Sequence, residues 1–226
     1  MYVIKIPKIP ITNIETLTSV TEVSQFVELL VQKFNVSLNE EKNLIEKLDT
    51  VVIKNIDEDN PKINGSTVYL AQKFLEGDYV KYNNNYGWVN YTPTKANMIA
   101  QAFSHFTYEY SLGTMLVVNI KGVFHDDHLV ITNFAIHSIL FKERFGYTNH
   151  GEVGILRFFQ THKCNHYCKK LKLLNLESLN DPSKLKATRT KYKEQKELAH
   201  LYEKLDKKIK RNQTQIEQFD QLLDLN

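Results

Sequence analysis

No apolar run in this sequence approaches the roughly 20 residues that a membrane-spanning helix needs. The longest, such as the stretch from Met115 to Val118, are strand-length, so a soluble globular protein with no membrane partner is expected. Cysteine is almost absent: Cys164 and Cys168 are the only two in 226 residues, too few for a disulfide framework. The opening M-Y-V-I-K-I-P-K-I-P has no apolar core of a secretory signal, which points to a reducing, cytoplasmic or cytoskeleton-associated location. Charge of neither sign dominates, and a formal net charge of +3 is too small to name a partner. What is plentiful is apolar residues, at 42%, ample for one medium domain plus an appendage.

The two cysteines are not scattered. They fall in T-H-K-C-N-H-Y-C, which sets His162, Cys164 and Cys168 within a few residues of one another. Lone cysteines are often small buried hydrophobes, and a disulfide between this pair is conceivable, but both thiols beside two histidines favour a metal. A structural tetrahedral zinc takes four thiolate or imidazole donors, so the chain should supply one more histidine. His137, in A-I-H-S, is the candidate, and His105, on an otherwise apolar helix face, reads as a satisfied core histidine.

Periodicity predicts an α+β fold with strands and helices mixed rather than alternating. An N-terminal strand runs to Pro10. Ser19 with Glu22 makes a capping-box pattern for a helix carrying Val20, Val23, Val27, Leu30, Val31 and Phe34, and Ser37 with Glu40 repeats it for a shorter helix through Leu44, Ile45 and Leu48. Strands are expected at Thr50 to Ile56, Thr67 to Leu75, Met115 to Ile120 and Leu129 to Ile131, with helices around Met98 to Phe106 and through I-L-R-F-F-Q-T-H. Beyond Pro182, Ser183 to Leu223 contains neither glycine nor proline. Leu198, Tyr202, Leu205, Ile209, Ile216, Phe219 and Leu223 form a heptad stripe interrupted by Asn212. That stripe predicts a C-terminal helix packing as a homo- or hetero-coiled coil with a protein partner, or on the chain's own domain. Its basic residues between Lys184 and Arg211 read as a solvated face rather than a nucleic-acid site.

Several stretches resemble the alpha-kinase family, the atypical protein kinases that include the myosin heavy-chain kinases and the kinase acting on translation elongation factor two. They are F-L-E-G-D-Y-V-K-Y-N-N-N-Y-G-W-V-N, A-F-S-H-F-T-Y-E, L-V-V-N-I-K-G-V, T-N-F-A-I-H-S, F-G-Y-T-N-H-G-E-V-G and T-H-K-C-N-H-Y-C, in order over most of Leu70 to Leu173. The resemblance implies an alpha-kinase-like domain over 1–176, with a truncated N-lobe (1–75) and a zinc-bearing C-lobe (76–176), followed by the helix over 177–226. It assigns the structural zinc to His137, His162, Cys164 and Cys168. It also places a nucleotide lysine at Lys5, otherwise a solvated terminal lysine, and a nucleotide-hinge residue at Gln72. The glycine-spaced loop of Gly146, Gly151 and Gly154 matches one associated with substrate binding, and Asn83, Asn84 and Asn85 are explained by turn geometry.

The same resemblance implies a loss. Active members carry an aspartate and a glutamine in the strand matching L-V-V-N-I-K-G and a second aspartate in the segment matching T-N-F-A-I-H. Here those positions are Asn119, Lys121 and Asn133. Phosphoryl transfer needs magnesium, normally held by one or two carboxylates. An amide brings no negative charge and an ammonium group repels the ion. The expectation is a pseudokinase that retains structural zinc but not catalytic magnesium and serves as a scaffold or docking module. The alternative is an active ATP-dependent serine/threonine kinase with a rearranged metal site, in which Asp126 or Asp127 of the segment His125 to His128 replaces a lost carboxylate. A third possibility is that Lys121 neutralises a phosphate and permits metal-free ATP binding without turnover.

Overall fold

In the computed structural model of the chain the described residues are 1–5, 15–54, 67–141 and 145–176, with the single positions 183 and 185. The C-terminal helix and heptad expected over 177–226 lie outside them, those two positions apart.

Two sheets carry the fold. The first is antiparallel, with strand β4 (Val68–Lys73) between β1 (Tyr2–Lys5) and β3 (Thr50–Lys54). The second has the order β2-β7-β6-β5, built on the long hairpin of β6 (Met115–His125) and β7 (His128–Ser138), with β5 (Tyr79–Lys81) antiparallel to β6 and β2 (Ile45–Lys47) parallel to β7. Helices α1 (Glu15–Leu38) and α2 (Lys95–Tyr110) pack on this second sheet, where Phe26, Leu30 and Phe34 meet Phe103, Phe106, Val117 and Ile131 in one core. The rings of Phe103 and Phe106 both stand edge-on to Phe34 at 5.4 Å between centroids, the tilted arrangement that aromatic quadrupoles favour. A smaller cluster beneath α3 (Gly151–Thr161) joins Ile155, Phe158 and Phe159 to Tyr108, Leu116 and Val118.

Local signals and final structure part company after α1. The helix starts at Glu15, ahead of the expected capping box, and the second helix expected through Ile45 is the strand β2. Asn35 explains the switch. Its side-chain oxygen accepts from the backbone N–H groups of Leu44 and Ile45 while its amide donates to the Ile45 carbonyl at 2.8 Å, so it holds the returning chain extended. Asn39, at φ +50°, supplies the left-handed residue just past the helix end. Ile45 and Lys47 are then buried by parallel pairing with Leu129 to Ile131, and that tertiary burial outweighs a weak local propensity.

The other feature that matters for function is a bulge in β6. Val118 pairs with Ala135 and Lys121 with Asn133, so Asn119 and Ile120 together face the single residue Phe134. Asn119 takes φ +56°, a left-handed backbone that asparagine tolerates better than most residues. The bulge is braced from the side by fully buried Asn83. Its oxygen accepts from the Ile120 N–H at 3.0 Å, and its amide donates to Gln101 Oε1 at 3.1 Å and Ser104 Oγ at 3.0 Å on α2.

Candidate functional site

Two places gather chemistry. The first lies where α2 meets the short helix α4 (His166–Lys170). Asn165 fixes the approach: its oxygen caps the N–H groups of Tyr167 and Cys168, and its amide donates to the Met98 carbonyl of α2 at 2.9 Å. The result brings His105, His162, Cys164 and Cys168 together, with all four ligand atoms within 4.8 Å of one another. Cys164 Sγ is 3.6 Å from His105 Nδ1, and Cys168 Sγ is 3.7 Å from His162 Nε2. Bond lengths of about 2.0 Å to nitrogen and 2.3 Å to sulfur in a tetrahedron put neighbouring N and S donors about 3.6 Å apart, so these spacings suit a zinc ion held between them. Glu109 Oε1 lies 3.8 Å from His105 Nε2, near the ring but beyond hydrogen-bond distance.

Protonation in the cluster follows from its contacts. The hydrogen bond with the Cys168 thiol, and then those with His105 and His162, pull the Cys164 thiol far below the ordinary cysteine range, and the same bond with Cys164, together with burial, pushes Cys168 up. Two thiols with one proton already displaced toward thiolate form a donor pair that a divalent cation would complete.

The fourth member of the cluster is therefore His105, not His137. The ring of His137 is fully buried elsewhere: Nε2 donates to the Asn85 carbonyl at 3.1 Å and Nδ1 accepts from the His150 N–H at 3.0 Å, which commits both nitrogens. Burial, and then the neighbouring His150, lower its pKa to about 4, keeping it a neutral clamp between loop and hairpin. Gly154 packs against that ring so closely that an added Cβ would lie 2.4 Å from His137 Cδ2. His166 is exposed and lies outside the cluster.

The second place is the junction of the two sheets at Thr132. Lys5 Nζ, from β1, donates to the Thr132 carbonyl at 2.6 Å, and buried Gln72, from β4, donates to the same carbonyl at 3.1 Å and to Thr50 Oγ1 at 2.8 Å. Thr132 neighbours Asn133, which pairs across the bulged hairpin with Lys121. Of the resemblance-based positions, Lys5 and Gln72 thus meet at Thr132 and Lys121 and Asn133 pair beside it; Lys5, Asn119, Lys121 and Asn133 are all half-buried, and Gln72 is buried. Lys5 is not the solvated terminal lysine of the simpler reading. Burial first, and then the Lys121 ammonium, bring its pKa down to about 8.

The acids at the hairpin tip are elsewhere. His125 is four residue steps along the strand from Lys121, roughly 13 Å at about 3.3 Å per residue. Asp127 pairs with Lys95 at the start of α2 and Asp126 with His125, so neither is aimed at the junction. The glycine-spaced loop is welded to the end of β7 by Asn149, whose oxygen accepts from the Ser138 and Gly151 N–H groups. Of the three asparagines assigned to turn geometry, Asn84 behaves so, capping the N–H groups of Tyr86 and Trp88. Asn83 is instead the brace of the bulge.

Comparison with known proteins gives this arrangement a family. The Alpha-kinase family profile matches residues 1–168. Myosin heavy chain kinase C of Dictyostelium discoideum is 38% identical over 161 residues, 68% of this chain and 19% of that protein. Eukaryotic elongation factor 2 kinase of Caenorhabditis elegans is 38% identical over 146 residues, 63% of this chain and 17% of that one. The chain thus spans less than a fifth of the length of these relatives. Among solved structures, the inactive alpha-kinase domain of myosin heavy chain kinase A, an aspartate-to-alanine variant in complex with ATP, superposes with a TM-score of 0.64 at 36% identity, covering 76% of this chain and 64% of that one. In fold and in sequence, the chain is a member of the alpha-kinase family.

Proposed function

We propose that this chain is a catalytically degenerate alpha-kinase domain, a pseudokinase, braced by a structural zinc and used as a scaffold or docking module. One observation carries the loss of catalysis: the junction that gathers Lys5, Gln72, Asn119, Lys121 and Asn133 contributes amides and ammonium groups at every position where the family resemblance calls for magnesium and phosphoryl chemistry. A unit charge about 4 Å from another is worth roughly 4 kcal/mol at an effective dielectric near 20, and a divalent ion beside Lys121 doubles that as repulsion. The nearest acids along the same hairpin, Asp126 and Asp127, are paired at its far end.

The zinc reading rests on the donor set. His105, His162, Cys164 and Cys168 supply two imidazoles and two thiols at spacings suited to a tetrahedral ion. Bound there, zinc would tie α2 to α4 and contribute to folding rather than to catalysis. A protein partner through the C-terminal helix, and a cytoplasmic or cytoskeleton-associated setting like that suggested by the myosin kinase relatives, complete the proposal; no helix among the described residues is long and apolar enough to cross a membrane.

The test is direct: incubate the purified chain with magnesium ATP and follow phosphate into the chain itself and into a basic helical peptide. No transfer is expected. Transfer that disappears in Lys5→Ala would establish instead an active serine/threonine kinase with a rearranged metal site.

A further inference from the structure

We infer that the loop from Asn84 to Tyr91, which lies along α3, is a docking surface for an acidic protein segment carrying apolar side chains between its carboxylates. This goes beyond the pseudokinase reading and stands whether or not the chain transfers phosphate. Three large aromatic side chains are exposed on this one short loop, Tyr86 at 62%, Trp88 at 47% and Tyr91 at 57%. Clustered apolar exposure of this kind marks interaction sites more often than scattered single residues do. The loop beneath the rings is firmly held. Asn84 accepts at its side chain from the N–H groups of Tyr86 and Trp88, and its own N–H donates to the Trp88 carbonyl at 3.0 Å. The Thr161 hydroxyl at the end of α3 donates to the Gly87 carbonyl at 2.5 Å, and the Tyr91 hydroxyl donates to the Thr161 carbonyl at 2.8 Å. Gly87 is seated so closely on α3 that a Cβ there would lie 2.8 Å from the Arg157 carbonyl oxygen. Rings presented by a rigid backbone bind a partner at little cost in ordering.

Charge decides the kind of partner. Segments 81–92 and 150–163, which build this face, carry Lys81, Arg157 and Lys163 against a single acid, Glu152, in the first turn of α3. Among the described residues none of these three cations forms an ion pair; Lys81 Nζ stands 5.7 Å from the centroid of Trp88, and Lys163 Nζ 5.4 Å from that of Tyr91. The third ring, Tyr86, has the His150 imidazole at 4.9 Å between centroids. One face of each ring is therefore in use. Single-stranded nucleic acid needs clear ring faces on which to stack its bases. An ammonium group resting on a ring instead keeps outward donors for a carboxylate and leaves the ring edge for an apolar side chain. The 11 residues of α3 set the length of the face at about 16 Å for a rise of about 1.5 Å per residue. That accommodates roughly five residues of extended peptide at about 3.3 Å each.

The experiment uses the full chain and two readouts, anisotropy of a fluorescein-labelled probe and the emission of Trp88, the only tryptophan in the sequence. The probe is a short peptide of repeating Glu-Phe-Glu-Leu; its comparisons are the same peptide with glutamine or lysine in place of glutamate, and an oligothymidylate of similar length. The glutamate peptide is expected to bind, to shift Trp88 emission, and to weaken as salt is added; the glutamine and lysine peptides should bind far less. Arg157→Glu and Lys163→Glu should each lose roughly three- to tenfold at low salt, a surface pair being replaced by a repulsion. Trp88→Ala, read by anisotropy, should lose about tenfold or more, as for a central aromatic contact. Lys33→Glu, at an exposed lysine of α1, should lose nothing. All these substitutions are at exposed positions, and thermal unfolding checks that each variant is folded. Oligothymidylate bound as tightly as the glutamate peptide, equal binding of the glutamine peptide, affinity indifferent to Arg157→Glu and Lys163→Glu, or no binding up to about 1 mM overturns the inference. So does Trp88 emission in the chain alone that moves when Glu217→Lys, Asp220→Lys and Asp224→Lys are made together, which would make the chain's own acidic segment the occupant, or that changes with protein concentration, which would make it a second copy.

Discussion

Replacing His105 and His137 separately by alanine distinguishes the two candidates for the fourth metal ligand. Structural zinc sites contribute about 10–16 kcal/mol, which spread over four donors is about 2.5–4 kcal/mol each, or roughly a hundred- to several-hundredfold in zinc affinity. His105→Ala should therefore lower zinc stoichiometry after dialysis against a moderate chelator. Because the metal contribution is comparable to the roughly 5–15 kcal/mol that stabilises a whole domain, this variant should also melt early or aggregate. His105→Cys restores a donor at the same helix position and should recover both metal and folding. His137→Ala behaves differently. It breaks the hydrogen bonds with Asn85 and His150 and leaves a cavity under Gly154, a loss of roughly 3 kcal/mol, yet keeps one zinc per chain. Metal analysis by atomic emission beside thermal unfolding reads both quantities. Full zinc in folded His105→Ala, or zinc lost from folded His137→Ala, would refute the geometric assignment.

Asn83→Ala should destabilise by about 3 kcal/mol in urea unfolding, because it removes three buried hydrogen bonds and strands the Ile120 N–H; a change below about 1 kcal/mol would mean the bulge needs no brace. Gly122→Ala should be worse tolerated than Gly146→Ala on spatial grounds, since its Cβ would lie 2.0 Å from the Val130 carbonyl oxygen whereas nothing lies within 4 Å at Gly146, where the cost is confined to φ +69°; comparable soluble yields and melting temperatures would contradict this. For Lys5 the sign follows from a folded-state pKa of about 8 against an ordinary 10.5: the unfolded chain binds more protons between those values, so this residue makes stability rise with pH across that window. Lys5→Met should flatten that part of the stability profile, and an unchanged slope would show that Lys5 is better solvated than its contacts imply. Finally, under the pseudokinase reading the combination Asn119→Asp, Lys121→Gln and Asn133→Asp should create magnesium-assisted ATP binding, read by calorimetry with and without EDTA; no magnesium dependence in the triple variant would place the obstacle outside these three positions.

Much of the site was legible because its residues are close in sequence. His162, Cys164 and Cys168 lie within seven residues of chain, the spacing that marks them as candidate metal ligands. His105 was hidden because it arrives from α2, a helix otherwise apolar on that face. Glu109, one turn on, was the available signal: a second polar side chain at the i+4 position beside a histidine that a merely hydrophobic face would not place there. His137 drew attention as the histidine of A-I-H-S, but nothing in spacing reveals that its two ring nitrogens are taken by backbone groups of distant loops. β2 was missed for a related reason. Ile45 and Lys47 have no strand-like sequence context; they are extended because Asn35 and β7 hold them there. The hairpin of β6 and β7, by contrast, buries apolar residues on nearly every position, and its continuous runs of valine and isoleucine showed through directly.

The bulge explains how the fold can be kept while the chemistry at its centre changes. Its shape is set by backbone groups and by Asn83: the Ile120 N–H is taken by Asn83, the Ile120 carbonyl accepts from Tyr82, and α2 holds Asn83 in turn. None of these bonds involves the side chains of Asn119, Lys121 or Asn133. The left-handed backbone at Asn119 narrows the choice there to residues that tolerate φ +56°, and aspartate and asparagine both belong to that small set. An exchange of carboxylate for amide at this position therefore leaves the backbone strain unchanged and removes only the charge. Position 121, past the bulge and half-buried, carries no such backbone constraint, so a lysine fits there sterically while reversing the local field. The groups that set the shape of the bulge and the side chains at 119, 121 and 133 are thus separable parts of the same strand, which is how the proposed pseudokinase would keep its fold without the family's acids.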